Sequence, residues 1–466
     1  MDGERPKEAC GLFGVWAPGE EVARLTFFGL FSLQHRGQES AGMAVSDGSN
    51  ILVYRELGLV SQVFNEGTLA TLQGDLCVGH TRYSTTGSTT WDNAQPTFKT
   101  HGRRGLALGH NGNLINTLEL AALAGGEPRG RATTDSDLVA GLMARHLDDG
   151  LEAAALRVLP QLKGAFSFAF MDERTLFACR DPHGLRPLAL GRLPGGWCVA
   201  SETCALDVVG ATYVREIEPG EMVAIDERGV RSIRYADSPR HALCLFEFVY
   251  LGRADSRLYG RSIHAARVEM GRRLAAEAPV DADMVLPVPD TGRSAAQGYS
   301  EGTGIPWGEG LMKNRYIGRT FIEPTPALRA RGVKLKLNPV PEVIAGKRVV
   351  VVDDSIIRGT TTRQIVQLLR ESGATEVHLR IVSPPVQWPC FYGIDMSTRD
   401  ELVGAQHDVD GIRRLVGADS LAYLSLDAVV ASTGAPKNAF CRACFDGEYP
   451  IPVGEAEPSK FALEPR

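Results

Sequence analysis

The sequence predicts two folded units, a strand-rich α+β unit in the first half of the chain and an α/β unit with a parallel sheet in the second. In the first half, short apolar runs such as 105–108, 165–171 and 197–201 are joined by turns that contain glycine and asparagine. From about Ser262 onward, helical patterns alternate with apolar strands. The polar stretch 226–240 separates the two patterns, and 466 residues are enough for two cores.

The helices and strands of the second half follow in a regular order. An amphipathic helix is predicted over 262–277, and a second helix over 362–372 is expected to stop at Gly373. The expected strands cover 284–288, 348–352 and 376–382. In the first half, the clearest helix begins near Thr134 and Asp135. Its apolar face carries Leu138, Val139, Leu142, Met143 and Leu147.

The charge and composition of the chain exclude several classes of protein. Lysine and arginine number 50 against 56 aspartate and glutamate, a net charge of -6, so no basic field favours nucleic acid or membrane as a partner. Residues 1–9 lack the apolar core of a signal peptide, and no apolar run approaches the ~18 residues of a membrane span. We therefore expect a cytoplasmic protein. The cysteine count of 9 is odd, which argues against a disulfide framework and leaves catalysis, metal binding or burial.

A cysteine stands at the start of the first apolar run, in Cys10-Gly-Leu-Phe-Gly. Taken alone, such a residue is usually a buried small hydrophobe. Three polar clusters punctuated by glycine, at 33–38, 79–87 and 109–114, follow it at strand ends and are rich in guanidinium, amide and hydroxyl groups. Together these clusters favour a site for a small polar ligand.

With Cys-Gly, His-Thr-Arg and Gly-His-Asn-Gly all present, residues 10–235 resemble the N-terminal-nucleophile glutamine amidotransferases. The resemblance implies an αββα fold in which the thiol of Cys10 attacks glutamine and its own α-amine acts as the base, so residues 1–9 are expected to be a cleaved propeptide. Asn111 and Gly112 are implied as the oxyanion donors. The glutamine-binding residues implied are Arg82 for the α-carboxylate and Asp135 for the α-ammonium, with Arg36 and Thr85 as neighbours.

The second informative stretch is an apolar strand that ends in Asp353 and Asp354 and leads through Gly359 and three threonines into a helix. Backbone N–H groups and hydroxyls at a helix N-terminus suit a phosphate, and no Walker motif is present. Adjacent carboxylates at such a position suit sugar hydroxyls and a phosphate-bound Mg²⁺. An acidic pair in a solvated loop would explain the two aspartates alone, but not the whole pattern.

This stretch resembles the type I phosphoribosyltransferase signature, which implies a phosphoribosyltransferase domain over 245–450 followed by a tail at 451–466. The loop that follows Pro287 is implied to meet the pyrophosphate, and the basic segment 313–321 resembles the lid that closes over phosphoribosyl pyrophosphate. Thr291, Asp353 and Asp354 are implied as Mg²⁺ ligands. The full set implied to bind phosphoribosyl pyrophosphate is Asp290, Thr291, Gly292, Lys313, Asp353, Asp354, Ser355, Arg358, Gly359, Thr360 and Thr361.

Both halves in this order resemble the amidophosphoribosyltransferase family, which transfers glutamine nitrogen to phosphoribosyl pyrophosphate in purine biosynthesis. The family implies a homotetramer with purine nucleotides as feedback inhibitors. One departure is Ala254, where the family has proline; it removes a rigid turn residue but no chemical group. Two alternative functions are considered. A nucleotide-binding regulator without catalysis would not need a pyrophosphate loop. A glutaminase that serves a sugar phosphate would need a sugar isomerase half, which these loops do not resemble.

Cys441 and Cys444 form a Cys-x-x-Cys pair, which by itself is compatible with half of a zinc site, a redox pair or chance. Cys244 and Cys390 stand where the iron–sulfur subclass of the family has its ligands, so the resemblance implies a [4Fe–4S] cluster on these four thiolates. The spacing alone does not separate this cluster from zinc. The leader points to the same subclass. Core positions are expected for Cys77, Cys179, Cys198 and Cys204.

Overall fold

The computed structural model describes residues 10–84, 86–125, 132–314, 337–396, 398–453 and 463–464. The expected propeptide 1–9, Thr85 and most of the expected lid, from residue 315 onward, lie outside the described residues. Within the described ranges, no helix is long and apolar enough to cross a membrane.

The first half contains two antiparallel sheets. One has seven strands in the order β11-β9-β10-β1-β4-β2-β3, and the other has six in the order β13-β12-β8-β7-β6-β5. The strands are β1 (Gly11–Trp16), β2 (Ser40–Ser46), β3 (Ile51–Leu57), β4 (Leu76–Arg82), β5 (Thr97–His101), β6 (Arg104–Leu114), β7 (Gly164–Met171), β8 (Leu176–Arg180), β9 (Ala189–Leu193), β10 (Gly196–Ala200), β11 (Thr212–Glu216), β12 (Glu221–Asp226) and β13 (Gly229–Arg234). The helices are α1 (Val22–Ser32), α2 (Val60–Val63), α3 (Glu66–Thr71), α4 (Thr117–Leu123), α5 (Asp135–Ala144), α6 (Leu151–Val158) and α7 (Thr203–Val208).

These elements form four layers. Leu12 and Val78 from the seven-stranded sheet meet Met171 from the six-stranded sheet in a shared core. Helices α1 and α7 cover the outer face of the first sheet, and α5 and α6 cover the outer face of the second. Because both faces of each sheet are covered, a central strand such as β7 is buried along its whole length and is apolar except at Ser167. The expected αββα architecture is therefore confirmed.

The second half contains a parallel sheet of four strands in the order β17-β20-β21-β22, with smaller two-stranded pairs around it. The strands are β14 (Leu243–Cys244), β15 (Arg257–Leu258), β16 (Arg261–Ser262), β17 (Met284–Pro287), β18 (Leu311–Lys313), β19 (Leu337–Pro339), β20 (Arg348–Asp353), β21 (Glu376–Ile381), β22 (Ser420–Tyr423) and β23 (Phe440–Cys441). The helices are α8 (Ile263–Glu277), α9 (Gly292–Thr303), α10 (Pro341–Ile344), α11 (Thr360–Glu371), α12 (Val403–Gln406), α13 (Val409–Val416), α14 (Leu426–Thr433) and α15 (Ala443–Asp446).

The four valines of β20 explain why this strand reads as a continuous apolar run. Val350 and Val352 pack in the core beneath α8 and α9, while Val349 and Val351 pack beneath α11 and α13. A parallel strand with helices on both faces needs apolar side chains at every position. The carboxyl end of β20 then delivers Asp353 and the loop that follows it to the edge of the sheet.

Several predicted boundaries shift by one or two residues. The helix expected over 362–372 begins at Thr360, and the first-half helix ends at Ala144, so Leu147 lies in the short turn after it. The stretch expected to be a linker contains the end of β12 and the whole of β13, because its polar residues form an antiparallel hairpin. The four cysteines expected in the core, Cys77, Cys179, Cys198 and Cys204, are all buried.

Candidate active sites

Cys10 lies directly before β1, the central strand of the seven-stranded sheet, and its side chain is buried. Its Sγ donates a hydrogen bond to the carbonyl oxygen of Tyr83 at 3.3 Å and accepts one from the Tyr83 backbone N–H at 3.4 Å. Burial raises the pKa of this thiol to about 11, although the backbone of Tyr83 and the charge of Arg82 act in the opposite direction. The thiol is therefore protonated at neutral pH, and attack on a substrate requires a base.

A small pocket beside Cys10 brings together residues that are far apart in the sequence. Four of its lining residues were predicted from the sequence, namely Cys10, Arg82, Gly112 and Asp135. The other lining residues are Tyr83, Thr86, Gln95, His110, Thr134 and Ser136. The predicted set of Cys10, Arg82, Gly112 and Asp135 thus converges on one cavity.

Arg82 and Asp135 carry opposite charges into this pocket. The guanidinium of Arg82 is buried and donates to the carbonyl oxygens of Thr86 at 3.1 Å and Ser88 at 3.2 Å, so it also holds the loop that follows β4. Asp135, at the first position of α5, accepts hydrogen bonds from the backbone N–H groups of Leu114 at 3.0 Å and Ser136 at 2.8 Å.

The protonation state of Asp135 follows from its surroundings. Burial raises the pKa of this carboxyl group, but His110, whose Nδ1 lies 3.6 Å from the carboxylate, and the backbone donors lower it, and the net shift is downward. Asp135 is therefore a carboxylate at neutral pH. A carboxylate and a guanidinium in one pocket suit a zwitterionic α-amino acid.

Asn111 is fully buried, and neither its Nδ2 nor its Oδ1 has a hydrogen-bond partner among the described residues. A Cβ placed on Gly109 would lie 2.8 Å from Leu12, so this face of β6 points toward β1. Residues two apart on a strand lie on the same face, so Asn111 shares the face of β6 that carries Gly109. In the same way, Cys10 lies on the side of β1 that carries Leu12. A buried amide without a partner among the described residues is available to a ligand, which is compatible with the predicted oxyanion role, although Asn111 is not among the residues that line the pocket beside Cys10.

Gly112 continues this strand with a φ of +147°, and a Cβ there would lie only 2.0 Å from the carbonyl oxygen of Ala165. No other residue type fits this position without displacing β7. The backbone of Gly112 therefore packs directly against β7, and Gly112 also lines the pocket beside Cys10.

A buried ion network lies next to Cys10. The sequence predicted only that Arg36 lies near the glutamine-binding residues, and it did not predict the ion pairs that Arg36 makes. Arg36 donates from Nε to the carbonyl oxygen of Cys10 at 3.3 Å, and its guanidinium pairs with Glu202 and with Glu247 at 2.8 Å. Arg186 also donates to Glu247, at 3.3 Å. Glu247 belongs to the second half of the chain, so this network joins the two halves behind the nucleophile. The charged and Gly-Pro-punctuated run 180–187 between two apolar strands was the signal that could have identified Arg186.

The second site lies at the carboxyl edge of the parallel sheet. Asp353 ends β20 and Asp354 directly follows it, and both side chains are buried. The Asp354 carboxylate accepts hydrogen bonds from the hydroxyls of Ser355, at 2.6 Å, and Thr291. Thr291 belongs to the loop after β17, so the two predicted loops meet at this edge. A Cβ on Gly292 would lie 2.6 Å from the carbonyl oxygen of Val352, which shows how closely α9 starts against β20.

Predicted residues around this edge are arranged as follows. Gly359 has a φ of +80° and directly precedes α11, whose first residues are Thr360 and Thr361. Lys313 pairs with Asp290 at 2.6 Å, and Arg358 pairs with Glu401. Asp290 lies on the loop after β17, and Arg358 lies on the loop after β20.

Arg267 on α8 was missed by sequence analysis. It is buried behind the acidic pair and donates to the carbonyl oxygens of Phe248 and Gly252, each at 2.8 Å. Burial lowers its pKa to about 10, and Asp354 acts against that shift. It therefore remains a cation at neutral pH. Its place on an amphipathic helix gave no signal in the sequence.

The four cysteines of interest come together at the joint between the halves. Cys244 on β14 is in register with Cys441 on β23, and none of the four forms a disulfide. Burial raises the pKa of Cys444, and the proximity of Cys244, Cys441 and Cys390 raises it further. The four thiols are thus neighbours. They are not gathered as tightly as ligands around a bound ion, since the described residues contain no group of three or more His, Cys, Asp or Glu arranged in that way.

Comparisons with known proteins find a matching family for each half of the chain. A family model for a glutamine amidotransferase domain matches residues 80–208, and one for a phosphoribosyl transferase domain matches residues 262–383. Amidophosphoribosyltransferase of Mycobacterium tuberculosis is 58% identical over 464 residues, covering 97% of this chain and 88% of that protein. Amidophosphoribosyltransferase of Bacillus subtilis is 46% identical over 454 residues, covering 96% and 95%.

Two solved structures superimpose over almost the whole chain. The glutamine phosphoribosylpyrophosphate amidotransferase of B. subtilis, complexed with ADP and GMP, gives a TM-score of 0.91 at 45% identity and covers 96% of this chain and 99% of that one. A structure described as the allosteric regulatory enzyme of purine biosynthesis gives 0.92 at 45% identity, covering 98% and 100%.

Proposed function

Because this chain belongs to the amidophosphoribosyltransferase family, we propose that its two sites divide the family's reaction between them. The chain is a glutamine-dependent transferase that makes phosphoribosylamine, glutamate and pyrophosphate from glutamine, phosphoribosyl pyrophosphate and water, the first step of purine biosynthesis. The observation that carries the division of roles is the pocket that joins Cys10 to Arg82 and Asp135, well apart in sequence from the edge at Asp353 and Asp354.

In the glutaminase site, Arg82 binds the α-carboxylate of glutamine and Asp135 binds its α-ammonium. These two contacts hold the side-chain amide beside Cys10, whose thiol attacks the amide carbon. The oxyanion that forms accepts hydrogen bonds from the Nδ2 of Asn111 and the backbone N–H of Gly112. Removing one donor of this type typically lowers kcat by a factor on the order of 10²–10³.

The raised pKa of Cys10 explains why a base is needed. The α-amine of a mature Cys10, with an ordinary pKa near 8, takes the proton from the thiol. This amine exists only after residues 1–9 are removed. Intact-mass analysis of the active enzyme is expected to show a chain that begins at Cys10, and glutamine-dependent activity in a chain that keeps the leader would contradict the proposal.

In the transferase site, Asp353 and Asp354 bind the ribose hydroxyls, and the turn from Ser355 to Thr361 holds the 5-phosphate at the start of α11. Asp290, Thr291 and Gly292 face the pyrophosphate, with Lys313 at the base of the predicted lid. The oxygen donors of Thr291, Asp353 and Asp354 are of the type that Mg²⁺ prefers, and when bound this ion neutralises charge on the pyrophosphate.

The division of roles is tested with Cys10→Ala. This variant is expected to lose glutamine-dependent synthesis and to keep synthesis from ammonia, because the transferase site lies elsewhere in the chain. Asn111→Ala, which removes a proposed oxyanion donor but not the nucleophile, is expected to lower glutamine-dependent kcat by about 10². Loss of the ammonia-dependent reaction in Cys10→Ala would refute the two-site assignment.

Cys244, Cys390, Cys441 and Cys444 are proposed to hold a [4Fe–4S] cluster. Four thiols without disulfide partners, of which Cys244 and Cys444 are buried and Cys390 and Cys441 half-buried, fit such a group. Four thiolates would hold either a zinc ion or a four-iron cluster, and the choice of iron rests on the family resemblance. Brown protein with about four irons per chain is expected; colourless protein with one zinc per chain would contradict this proposal.

Purine nucleotides are proposed as feedback inhibitors. The support is the B. subtilis relative, whose structure contains ADP and GMP and which superimposes on this chain with a TM-score of 0.91. Inhibition of both the glutamine- and the ammonia-dependent reactions by purine monophosphates is the expected result. A homotetramer, to be tested by sedimentation, remains a prediction from the family resemblance. A cytoplasmic location remains a prediction from the lack of an apolar signal-peptide core or membrane-spanning run in the sequence.

A further inference from the structure

A loop of the transferase half, residues 390–396, reaches the oxyanion strand of the glutaminase half. Gly393 has a φ of +100°, and a Cβ placed on it would lie 2.8 Å from the carbonyl carbon of Gly112 and 3.1 Å from its Cα. These are backbone atoms, which cannot rotate away as a side chain would. On its other side, Gly112 is held against the carbonyl oxygen of Ala165. The peptide of Gly112 is therefore enclosed between β7 and a residue of the other half of the chain.

The same loop makes a second contact one residue further along β6. Asn113 donates from Nδ2 to the carbonyl oxygen of Phe391 at 3.0 Å. Its Oδ1 accepts a hydrogen bond from the hydroxyl of Thr86 at 2.5 Å, and Thr86 belongs to the loop that Arg82 holds. Two anchors from the transferase half thus fix the end of β6 where the proposed oxyanion donors lie.

Hydrogen bonds and burial hold the loop 390–396 in place, so its position relative to β6 is fixed. Arg186 donates to the carbonyl oxygen of Tyr392 from Nε at 3.1 Å and from its terminal nitrogen at 2.8 Å. The backbone N–H of Cys390 donates to the carbonyl oxygen of Met396 at 3.0 Å, which closes the loop. Phe391 and Tyr392 are buried in a small apolar cluster that includes Ala165 of β7. A buried and hydrogen-bonded loop is a rigid support rather than a covering flap.

We propose that Gly393 is a positioning residue for glutamine hydrolysis, acting through the backbone of Gly112. Its missing side chain allows the transferase half to pack against the Cα and carbonyl group of Gly112, and fixing these atoms also fixes the direction of the N–H that the same Cα carries. The inference rests on the proposed oxyanion role of Gly112. Gly393 does not line the glutamine pocket, so it affects the transition state rather than the affinity for glutamine.

The test is Gly393→Ala in the full-length, processed enzyme. The added Cβ is expected to displace the Gly112 peptide and to lower kcat for glutamine-dependent synthesis by about tenfold or more, since a small misplacement of a catalytic group has large effects. The KM for glutamine and the ammonia-dependent rate are expected to stay near those of the parent. A purely structural defect would lower both rates together.

Gly304→Ala is the matched control. Gly304 also has a positive φ, +76°, but a Cβ on it would meet nothing within 4 Å, so it carries the backbone strain without the contact. This variant is expected to behave like the parent in both reactions. Equal kcat values for Gly393→Ala and Gly304→Ala, with both proteins folded, would overturn the inference.

Asn113→Asp keeps the test decisive if Gly393→Ala does not fold. It preserves the size of the side chain and the acceptor for Thr86 but removes the donor to Phe391. A lower glutamine-dependent kcat with normal ammonia-dependent synthesis is expected, and an unchanged kcat would overturn the inference.

Asn111→Ala separates the two proposals. If Asn111→Ala keeps full glutamine turnover, the oxyanion assignment fails, whereas if Asn111→Ala is impaired and Gly393→Ala is not, only the positioning role fails.

Discussion

Replacing Glu247 with glutamine is expected to weaken the joint between the two halves of the chain. Glu247 is fully buried and accepts hydrogen bonds from Arg36 at 2.8 and 3.1 Å and from Arg186 at 3.3 Å. The substitution preserves the shape of the side chain but removes the negative charge. Arg36 then keeps its pairing with Glu202, whereas Arg186 keeps the carbonyl oxygen of Tyr392 as an acceptor but loses its carboxylate partner.

The expected size of this effect follows from the burial of the network. Removing one partner of a buried ion pair typically costs 3–5 kcal/mol, because the other charge is left in a medium of low polarity. Glutamine keeps one acceptor oxygen, so we expect a loss of about 3 kcal/mol in the free energy of unfolding. With a urea dependence of about 3 kcal/mol per molar, the unfolding midpoint should fall by about 1 M.

The measurement is urea unfolding followed by tryptophan fluorescence and by far-ultraviolet circular dichroism. Glu66→Gln is the matched control, because Glu66 also pairs with an arginine, Arg24, at 2.9 Å but is 79% exposed. Surface pairs of this kind contribute little, so the control is expected to unfold at the same urea concentration as the parent. A Glu247→Gln protein that unfolds with the control would refute the reasoning.

Four further changes test other parts of the structure. Exchanging Asp353 and Asp354 together for asparagine is expected to lower transfer by orders of magnitude while glutamine hydrolysis remains, as measured by separate assays of phosphoribosylamine and glutamate. Arg82→Lys removes a bidentate fork and should raise the KM for glutamine about tenfold without changing the ammonia-dependent rate. Burial lowers the pKa of His80 to about 3, so between about pH 6.5 and 3 the unfolded chain binds more protons and stability falls as the pH drops; His80→Gln should lessen that fall in acid-unfolding curves. Cys441→Ser should reduce the iron content per chain and lower the thermal midpoint by more than a typical surface change, and normal iron content would contradict the ligand assignment.

Local patterns in the sequence were sufficient for the organisation of the chain and for much of both sites. The alternation of helices and strands after Ser262 and the apolar run before Asp353 depend on residues close together in the chain, and the structure agrees with them to within one or two residues. Motifs at strand ends were equally informative, since Cys10, Arg82 and Asp135 do meet in one pocket. The family resemblance then gave these motifs their roles.

The tertiary structure alone decided which groups act together behind these motifs. Arg36 and Glu247 are 211 positions apart, and Asn113 and Phe391 are 278 positions apart, so no periodicity or spacing links them. Buried ion pairs and backbone contacts form only when two packed surfaces meet, and their geometry depends on the docking of the halves rather than on local propensity. The sequence therefore determined the fold class and the reacting groups, whereas the docking of the two halves determined what holds those groups in place.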